Sequence, residues 1–523
     1  MIVDNIANII GNNSKDNEYI INNQKYIFNL VFLNPDNSLL TLSKNNVKNL
    51  TIQDNAFFPF NKLTISFVDD GNAFERLQTN KQETEFSPEL DVLKGYRFRG
   101  DGRDYFYVEI IPIENVNNPY GVQEEDYNSI FGFRNLYICA DTNENIEDGK
   151  VIKTINLIDF DEKMLKERKS FFSSSNLIND SDKPIQFLSN NEREVETGKC
   201  IKNLLNDTLL TKNLDQIVET DENGETPEFE DGLSKIYYTS PSDNNAFEDL
   251  IYLHGKHVSN SSSKDFSFFK KQNYTNKYTL KSVKDAFDKA YNKGDGTAGF
   301  SNYEKLIITG TSDSTSVIEN TKKTPISIPS FGEYSEIKNI KFFNTDSLLN
   351  SETLVTNVLH SYDFNNKQFN VDKQDSDITN VKDKFDEYYV KNMKGNRNKP
   401  FANLTLNQTK STNLSFKNLY SLYGENENIK LGENLNKLLK NSLVTNLAAE
   451  ITLKGQMFRK TTKFISIDRE GEYVDNLFDD KFLGIYLIVN LEHIFTNDTE
   501  YNNRILAIKT YIFDDPKFNE DVL

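Results

Sequence analysis

A chain of 523 residues is too long for one ordinary core and is sized for two to four domains. Its 38 Phe and 25 Tyr, without a single Trp, exclude a generally disordered chain, which would lack aromatic residues. A net charge of −19, from 79 acids against 60 bases, argues against a binder of phosphate backbones, whose affinity draws on clustered Lys and Arg.

The first region reads as β. Tyr19 to Leu33 holds two apolar runs split by the turn-forming "NNQ". Val47 to Gln53 and Lys62 to Asp69 alternate apolar and polar residues at period two, the mark of a half-buried strand, around a loop with Pro59. Gly100-Asp101-Gly102 is a turn, and Tyr105 to Ile113 a strand. Leu136 to Cys139 and Val151 to Ile158 are two more strands. Such a meander with Asn and Gly turns predicts a small barrel or sandwich.

A mixed region follows. Helical composition begins at Asp161, and Thr197 to Leu210 spaces Ile201, Leu204, Leu205 and Leu209 as a helix does. Asp215 to Glu230 is acidic and turn-rich and reads as an exposed loop. Lys235 to Ser259 reads as strand, Ser-Pro turn and helix, with Asp243 or Asn244 as N-cap and Phe247, Leu250, Ile251 and Leu253 as the apolar stripe. A strand pair through "FSFFKKQNYTNKYTL" precedes a short helix ended by Gly294.

The last region returns to β. Leu354 to Tyr362 and Lys367 to Val371 are strands, Val381 to Tyr389 a helix, and Asn392 to Asn413 a polar loop. Ala448 to Leu453, Lys463 to Ile467, Phe482 to Phe495 and Ile505 to Ile512 are four further strands. No repeat of fixed period is visible. A faint likeness joins "NLTIQD…NKLTISFVDD" to "AEITLKG…KFISIDRE", each strand, loop and strand ending in an acid.

Few residues carry chemistry. Cys139 and Cys200 stand alone, without a Cys-x-x-Cys pair for zinc or redox work. His254 and His257, three apart, share a helix face but lack an H-E-x-x-H pattern. His360 and His493 lie inside strands and read as structural. Gly100-Asp101-Gly102 lacks P-loop spacing, and no G-x-S-x-G elbow exists. Close carboxylates are uninformative among 79 acids. Arg97, Arg99 and Arg103, interleaved with Tyr96, Phe98 and Tyr105, have the pattern of a single-strand contact, but Asp101 and Asp104 favour an Arg–Asp network. No catalytic, cofactor-binding or metal residue is assigned. Met1 to Asn17 lacks a signal peptide's basic start and apolar run, and no stretch approaches 18 apolar residues, so folding in a cytoplasm is expected.

Several segments resemble the hub proteins of contractile phage baseplates. They are Val47 to Leu77, Tyr96 to Pro112 ("YRFRGDGRDYFYVEIIP"), Ile155 to Ser175 ("INLIDFDEKMLKERKSFFSSS"), Ile236 to Val283, and the C-terminal stretch from Ala448, with its "GIYLIVNLEHIF" core at Gly484 to Phe495. The resemblance covers about half the chain in order and spacing. It implies a mainly β fold with an α+β middle: two antiparallel tube-type β-barrels plus α/β accessory domains. The expected division is a first barrel at 1–175, an α/β accessory domain at 176–300, a mixed accessory region at 301–440, and a second barrel at 441–523 completed by strands from 335–372. The implied role is structural and non-enzymatic. A homotrimeric ring of six barrels would join a sixfold tail tube to a threefold spike in the virion baseplate, after assembly in the host cytoplasm. Implied partners are a central spike protein, tail tube or tube-initiator proteins, a tape measure protein, wedge proteins and transiting DNA, with no cofactor and no membrane. Acidic residues of both barrels are expected to line the channel. A receptor- or glycan-binding tail protein is the alternative, and a glycan-cleaving tail component a third reading.

Overall fold

The computed structural model describes residues 18–22, 24–34, 39–69, 103–114, 131–178, 194–209, 229–257, 259, 267–282, 303–308, 336–344, 358–363, 368–373, 412–414, 447–469, 482, 484–496 and 500–509. The expected helices before Gly294 and at 381–389 and nearly all of the loop at 392–413 and of the acidic stretch at 215–230 lie outside these residues; the last two residues of that loop, Thr412 and Asn413, are strand instead.

The fold is mainly β, dominated by a 14-stranded sheet. Its strands are β1 (Glu18–Ile21), β2 (Gln24–Leu33), β3 (Leu39–Leu42), β4 (Val47–Asn55), β5 (Lys62–Val68), β6 (Tyr105–Glu114), β7 (Phe133–Glu147) and β8 (Lys150–Asp159) from the first region. The middle follows as α1 (Phe160–Glu167), β9 (Val195–Glu196), α2 (Thr197–Thr208), β10 (Lys235–Ile236), α3 (Ala246–Lys256), β11 (Ser267–Lys271) and β12 (Tyr278–Ser282). Then come β13 (Tyr303–Ile308), β14 (Ile337–Asn344), β15 (Val358–Asp363), β16 (Gln368–Lys373), β17 (Thr412–Leu414), β18 (Leu447–Lys454), β19 (Phe464–Arg469), β20 (Gly484–Thr496) and β21 (Tyr501–Lys509). The sheet runs β1-β2-β6-β7-β8-β5-β4-β20-β21-β18-β14, with β3 on β2, β19 on β20 and β13 on β19. All pairings are antiparallel except β13 with β19. Strands β15, β16 and β17 form a separate small sheet.

Five strands at each end repeat one plan. In chain order β4, β5, β6, β7 and β8 lie in space as β4-β5-β8-β7-β6. In chain order β14, β18, β19, β20 and β21 lie as β14-β18-β21-β20-β19. The registers match to the residue. A bulge in the first strand falls between Val47 and Asn49 in one unit and between Ile337 and Asn339 in the other. A bulge in the fourth strand falls between Cys139 and Asp141, and between Ile488 and Asn490. At that bulge Cys139 N donates to Asp104 O at 3.0 Å, and Ile488 N to Lys463 O at 2.9 Å. Past the second strand, Asp69 N donates to Val151 O and Gly455 N to Tyr501 O. Bulges interrupt a ladder at fixed points and behave as designed features. Two sharing both positions mark one architecture used twice.

The sequence contains this repeat in another place than the faint likeness suggested. "VKNL" at 47–50 corresponds to "IKNI" at 337–340, and β5 corresponds to β18 rather than to β19. Residues 345–446 separate the second unit's first two strands, whereas 56–61 separate those of the first. The unequal insertion removes any fixed period.

Three cores follow. The first is lined by β2 and β4–β8, and takes in Met457, Phe495 and Tyr501 from the far end of the chain. The second joins Ile451, Leu453, Ile488, Leu491 and Ile505 to Leu306 and Ile337. The third lies under the helices, around Leu165, Ile201, Leu204, Leu250 and Leu253. Helix α1 starts where Asp159 accepts from Asp161 N. Gly198 opens the way for the chain at Glu230, whose carbonyl would lie 2.0 Å from any added Cβ. Helix α3 is capped by Asn245, not by Asp243 or Asn244. Asn245 and Glu248 form a reciprocal capping box, and Asn244 instead donates to Asp249 at 2.9 Å. Asp249 is therefore buried on the core side, while Ile251 faces outward.

Candidate assembly face

The two units meet at β4 and β20, where Asn49 to Asn55 pair with Thr496 to Asn490. Leu50 stands opposite Phe495, and both are fully buried. Phe28 meets Phe495 edge-on at 5.4 Å, and Tyr26 meets Tyr501 at 6.3 Å. A main-chain ladder and shared aromatics therefore make one surface of two regions more than 430 residues apart in sequence.

Asp54 ties this junction to the middle region. Its carboxylate accepts from Lys270 Nζ at 2.5 Å and from Thr461 Oγ1 at 2.6 Å. Burial alone would raise its pKa; Lys270 and Thr461 outweigh that and hold it below the usual carboxylate range. Lys270 also donates to the carbonyls of Asn55 and Phe58. Its neighbour Lys271 points the other way along β11, as period two requires, and bridges Asp159 at 3.0 Å and Asp161 at 2.8 Å. Burial would lower the Lys271 pKa, but two flanking acids raise it; burial and Asp161 leave Asp159 raised despite that lysine. Two consecutive lysines thus fasten the α/β region to the first unit. In the second unit Arg459 holds Glu304 of β13 through two hydrogen bonds, at 2.8 and 2.6 Å.

The face of the joined sheet turned away from the core is read from residues standing opposite one another. One row crosses Lys62, Gln53, Glu492, Arg504 and Thr452. Another crosses Asn156, Thr64, Thr51, Ile494, Asn502 and Lys454. Thr64 donates to Asn156 at 3.0 Å, Ser66 and Thr154 bond at 2.8 Å, and Arg504 pairs with Glu450. Amides and hydroxyls are frequent on this face, beside the bases Lys62, Lys454, Arg504 and Lys341 and the acids Asp141, Glu147, Glu450 and Glu492. Composition gave the overall charge but not its placement.

The three histidines with described side chains do not form a shared site. His254 Nε2 lies 2.7 Å from Ser267 O, and His257 Nδ1 lies 2.9 Å from Thr197 Oγ1. His360 sits in β15, with its side chain outside the described residues. His493 is fully buried, with Nδ1 2.6 Å from the Tyr501 hydroxyl and 2.9 Å from Asn503 Nδ2. Asn503 Oδ1 is already used by Gln456 N and Arg459, so its amide nitrogen donates and the imidazole accepts. Among the described residues no group of three His, Cys, Asp or Glu is placed to hold a metal. Burial raises the pKa of both cysteine thiols, Cys139 and Cys200. Of the aromatic–arginine stretch, Tyr96 to Gly102 lie outside the described residues; Arg103 is exposed and Asp104 buried. Tyr105 rests on Phe160, with ring centroids 5.9 Å apart. No helix among the described residues is long and apolar enough to cross a membrane.

No family model matches the chain, and no curated protein matches it. Solved structures do. The chain is similar to the tail protein from Neisseria meningitidis MC58, at 7% identity over 93% of this chain and 98% of that one, with a TM-score of 0.46. It is similar to the 43 kDa tail protein of prophage MuSo2 from Shewanella oneidensis, at 8% identity over 93% and 100%, with a TM-score of 0.41. A chain of the Francisella PdpA–VgrG complex shows 9% identity over 98% of this chain and 61% of that one, with a TM-score of 0.43.

Proposed function

We propose that this chain is a structural, non-enzymatic hub subunit of a phage tail baseplate. Three copies would form a ring that joins the hexameric tail tube to the trimeric spike and lets DNA pass. The observation that carries this reading is the doubled five-strand plan, continuous through β4 and β20. A chain with two equivalent units side by side converts threefold symmetry into near-sixfold symmetry, which is what a piece between a trimer and a hexamer has to do. The sequence segments that resemble hub proteins fall largely on the strands and helices building these units and the region bolted to them. Each unit then serves as one tube-type barrel segment, and the polar face described above turns toward the channel. Its charges are interspersed and partly paired, so no block of lysines grips phosphate. Tape measure and wedge proteins are the further partners of this reading, and the virion, after assembly in the host cytoplasm, is its place.

The test is assembly. Purified chain mixed with tail tube and spike proteins is imaged by electron microscopy. Threefold rings with six similar lobes are expected, capped by tube on one side. A chain that remains a monomer and joins neither protein sinks the proposal.

A further inference from the structure

We infer that Lys271 and Asn135 become joined by a self-formed amide bond, made when the Lys271 amine attacks the Asn135 side-chain amide and expels ammonia. The inference goes beyond the tail reading and does not depend on it.

Strand β11 brings the amine to an amide already set for attack. Lys271 Nζ lies 3.1 Å from Oδ1 of Asn135 on β7, across 136 residues of sequence. Both side chains are buried, and so is Asp159 at the end of β8. Each polar atom of the Asn135 amide has a fixed partner. Oδ1 also accepts from Leu136 N at 2.9 Å, and Nδ2 donates to Asp159 Oδ2 at 2.6 Å. Asp159 is itself held in place. Its Oδ1 accepts from Asp161 N at 2.8 Å, and Lys271 Nζ lies 3.0 and 3.1 Å from its two oxygens. A nucleophile, an acyl group and an acid that touches both thus share one buried site.

Each contact has a role in the reaction. Lys271 passes a proton to Asp159, leaving a neutral amine and a neutral acid; burial favours that pair over two charges. The nitrogen lone pair then bonds to Asn135 Cγ, and the C=O electron pair moves to Oδ1. The Leu136 N–H, already aimed at Oδ1, stabilises that oxyanion. Asp159 protonates Nδ2 and takes back the proton that Nζ sheds, so the acid ends as it began. The Cγ–Nδ2 bond breaks, ammonia leaves, and the C=O re-forms as a Lys–Asn amide. Nothing is oxidised or reduced. Asp161 favours the ammonium, so the neutral pair is the rarer state. The reaction needs that state only once per chain, the amine is held in place beside its target, and ammonia lost to solution does not return.

The neighbouring lysine shows what the site requires. Lys270 is also buried, but its partners are the Asp54 carboxylate and the main-chain carbonyls of Asn55 and Phe58, with no side-chain amide among them. Of the two lysines that fasten the α/β region to the first unit, Lys271 alone has the parts of a covalent bolt.

Denaturing mass spectrometry of the full chain reads the bond. The intact mass should fall short of the sequence mass by one ammonia, and a protease digest should contain a branched peptide linking Asn135 to Lys271. Lys271→Arg keeps the positive charge without a nucleophilic amine; it should restore the full mass and abolish the branch. The wild-type chain should also run ahead of this variant on a denaturing gel, because a closed loop compacts the unfolded chain. A folded wild-type chain at full mass, with linear peptides covering both residues, overturns the proposal whatever the variant does. Loss of ammonia without a branch marks succinimide formation and overturns it as well. A branch that ends at Asp159, with loss of water, overturns the assignment of Asn135 as the acyl group.

Discussion

The first and second units share their internal strand order and two bulges but fill that frame with different residues. The fourth strand's outer half is the sharpest case. In the second unit it reads Asn490 to Thr496 and is covered by β4, with His493 and Phe495 buried; in the first it reads Asp141 to Glu147 and is exposed throughout. Hydrogen-bond registers and two bulges define the architecture, and side chains then adapt each copy to what covers it. Each unit also leans on a buried cation: Lys271 holds Asp159 and Asp161 in one, and Arg459 holds Glu304 in the other.

The largest expected effect tests that parallel. Lys271→Met leaves buried acids without their counter-charge and should cost about 3–5 kcal/mol, and Arg459→Met should cost a similar amount by stranding Glu304. Urea unfolding followed by near-ultraviolet absorbance of tyrosine measures both. A loss below about 1 kcal/mol in either would show that the two cations are not equivalent fastenings.

Next comes a position where the frame is the same and the space is not. Gly455 corresponds to Asp69, and their backbone N–H groups donate to equivalent carbonyls near the start of the fifth strand, those of Tyr501 and Val151. A Cβ on Gly455 would lie 2.3 Å from the Tyr501 ring, which is stacked on Phe495 at 4.1 Å and fully buried. Gly455→Ala should therefore cost about 2–3 kcal/mol by overpacking. Asp69→Ala has no such clash behind it and instead removes the more distant of two acids beside Lys153, at 3.6 Å against 2.8 Å for Glu144. If Gly455→Ala is neutral, the ring moves freely and the second unit is less tightly filled than its burial indicates.

His493 gives the comparison a pH dependence, because its first-unit equivalent is Glu144, an exposed residue. Burial lowers the His493 pKa from 6.5 to about 3; Asp54 opposes this, while Arg459 and Lys460 reinforce it. The unfolded chain then takes up a proton near pH 6.5 that the folded chain refuses until about pH 3. Stability from the neutral imidazole is complete above pH 6.5 and falls as pH drops through that window, at up to about 1.4 kcal/mol per unit. Near pH 5 the loss should reach about 2 kcal/mol. His493→Gln should flatten the slope of melting temperature against pH between 7 and 5; an unchanged slope would assign the dependence to other groups.

Much of this frame was legible in the sequence. Period-two alternation located β4 and β5, where one face of each strand meets a core, and β-rich apolar runs located β6, β8, β18, β19, β20 and β21 within a few residues. The duplication was not legible, since "IKNI" at 337–340 is short and stands far from the strand it pairs with. Strand β13 escaped for a related reason: it joins in parallel from a distant insertion, and its anchor, Glu304 to Arg459, is a long-range ion pair. The buried lysines of β11 were invisible because "KK" reads as a solvated edge until Asp54 and Asp159 are placed on either side of it. The assembly face could not be read from composition at all, because strand registers decide which residues share a face.

The smallest effect bears on the exposed outer half of β7, which forms an arm. Lys48 lies at the first-strand bulge, and its Nζ is 2.7 Å from Glu147 at the end of the arm. Both side chains are well exposed, so Lys48→Ala should change stability by less than about 0.5 kcal/mol. The equivalent Lys338 reaches Asn502 instead, at 2.9 Å. The bulge lysine therefore contacts the fourth-to-fifth strand hairpin of its own unit in both cases, which points to a role in steering that hairpin rather than in holding the fold. Proteolysis of the arm is the sensitive readout: Lys48→Ala should speed cleavage near Asp148 and Gly149 while leaving the unfolding midpoint unmoved. A shifted midpoint with unchanged cleavage would mean the pair supports the core and does not restrain the arm.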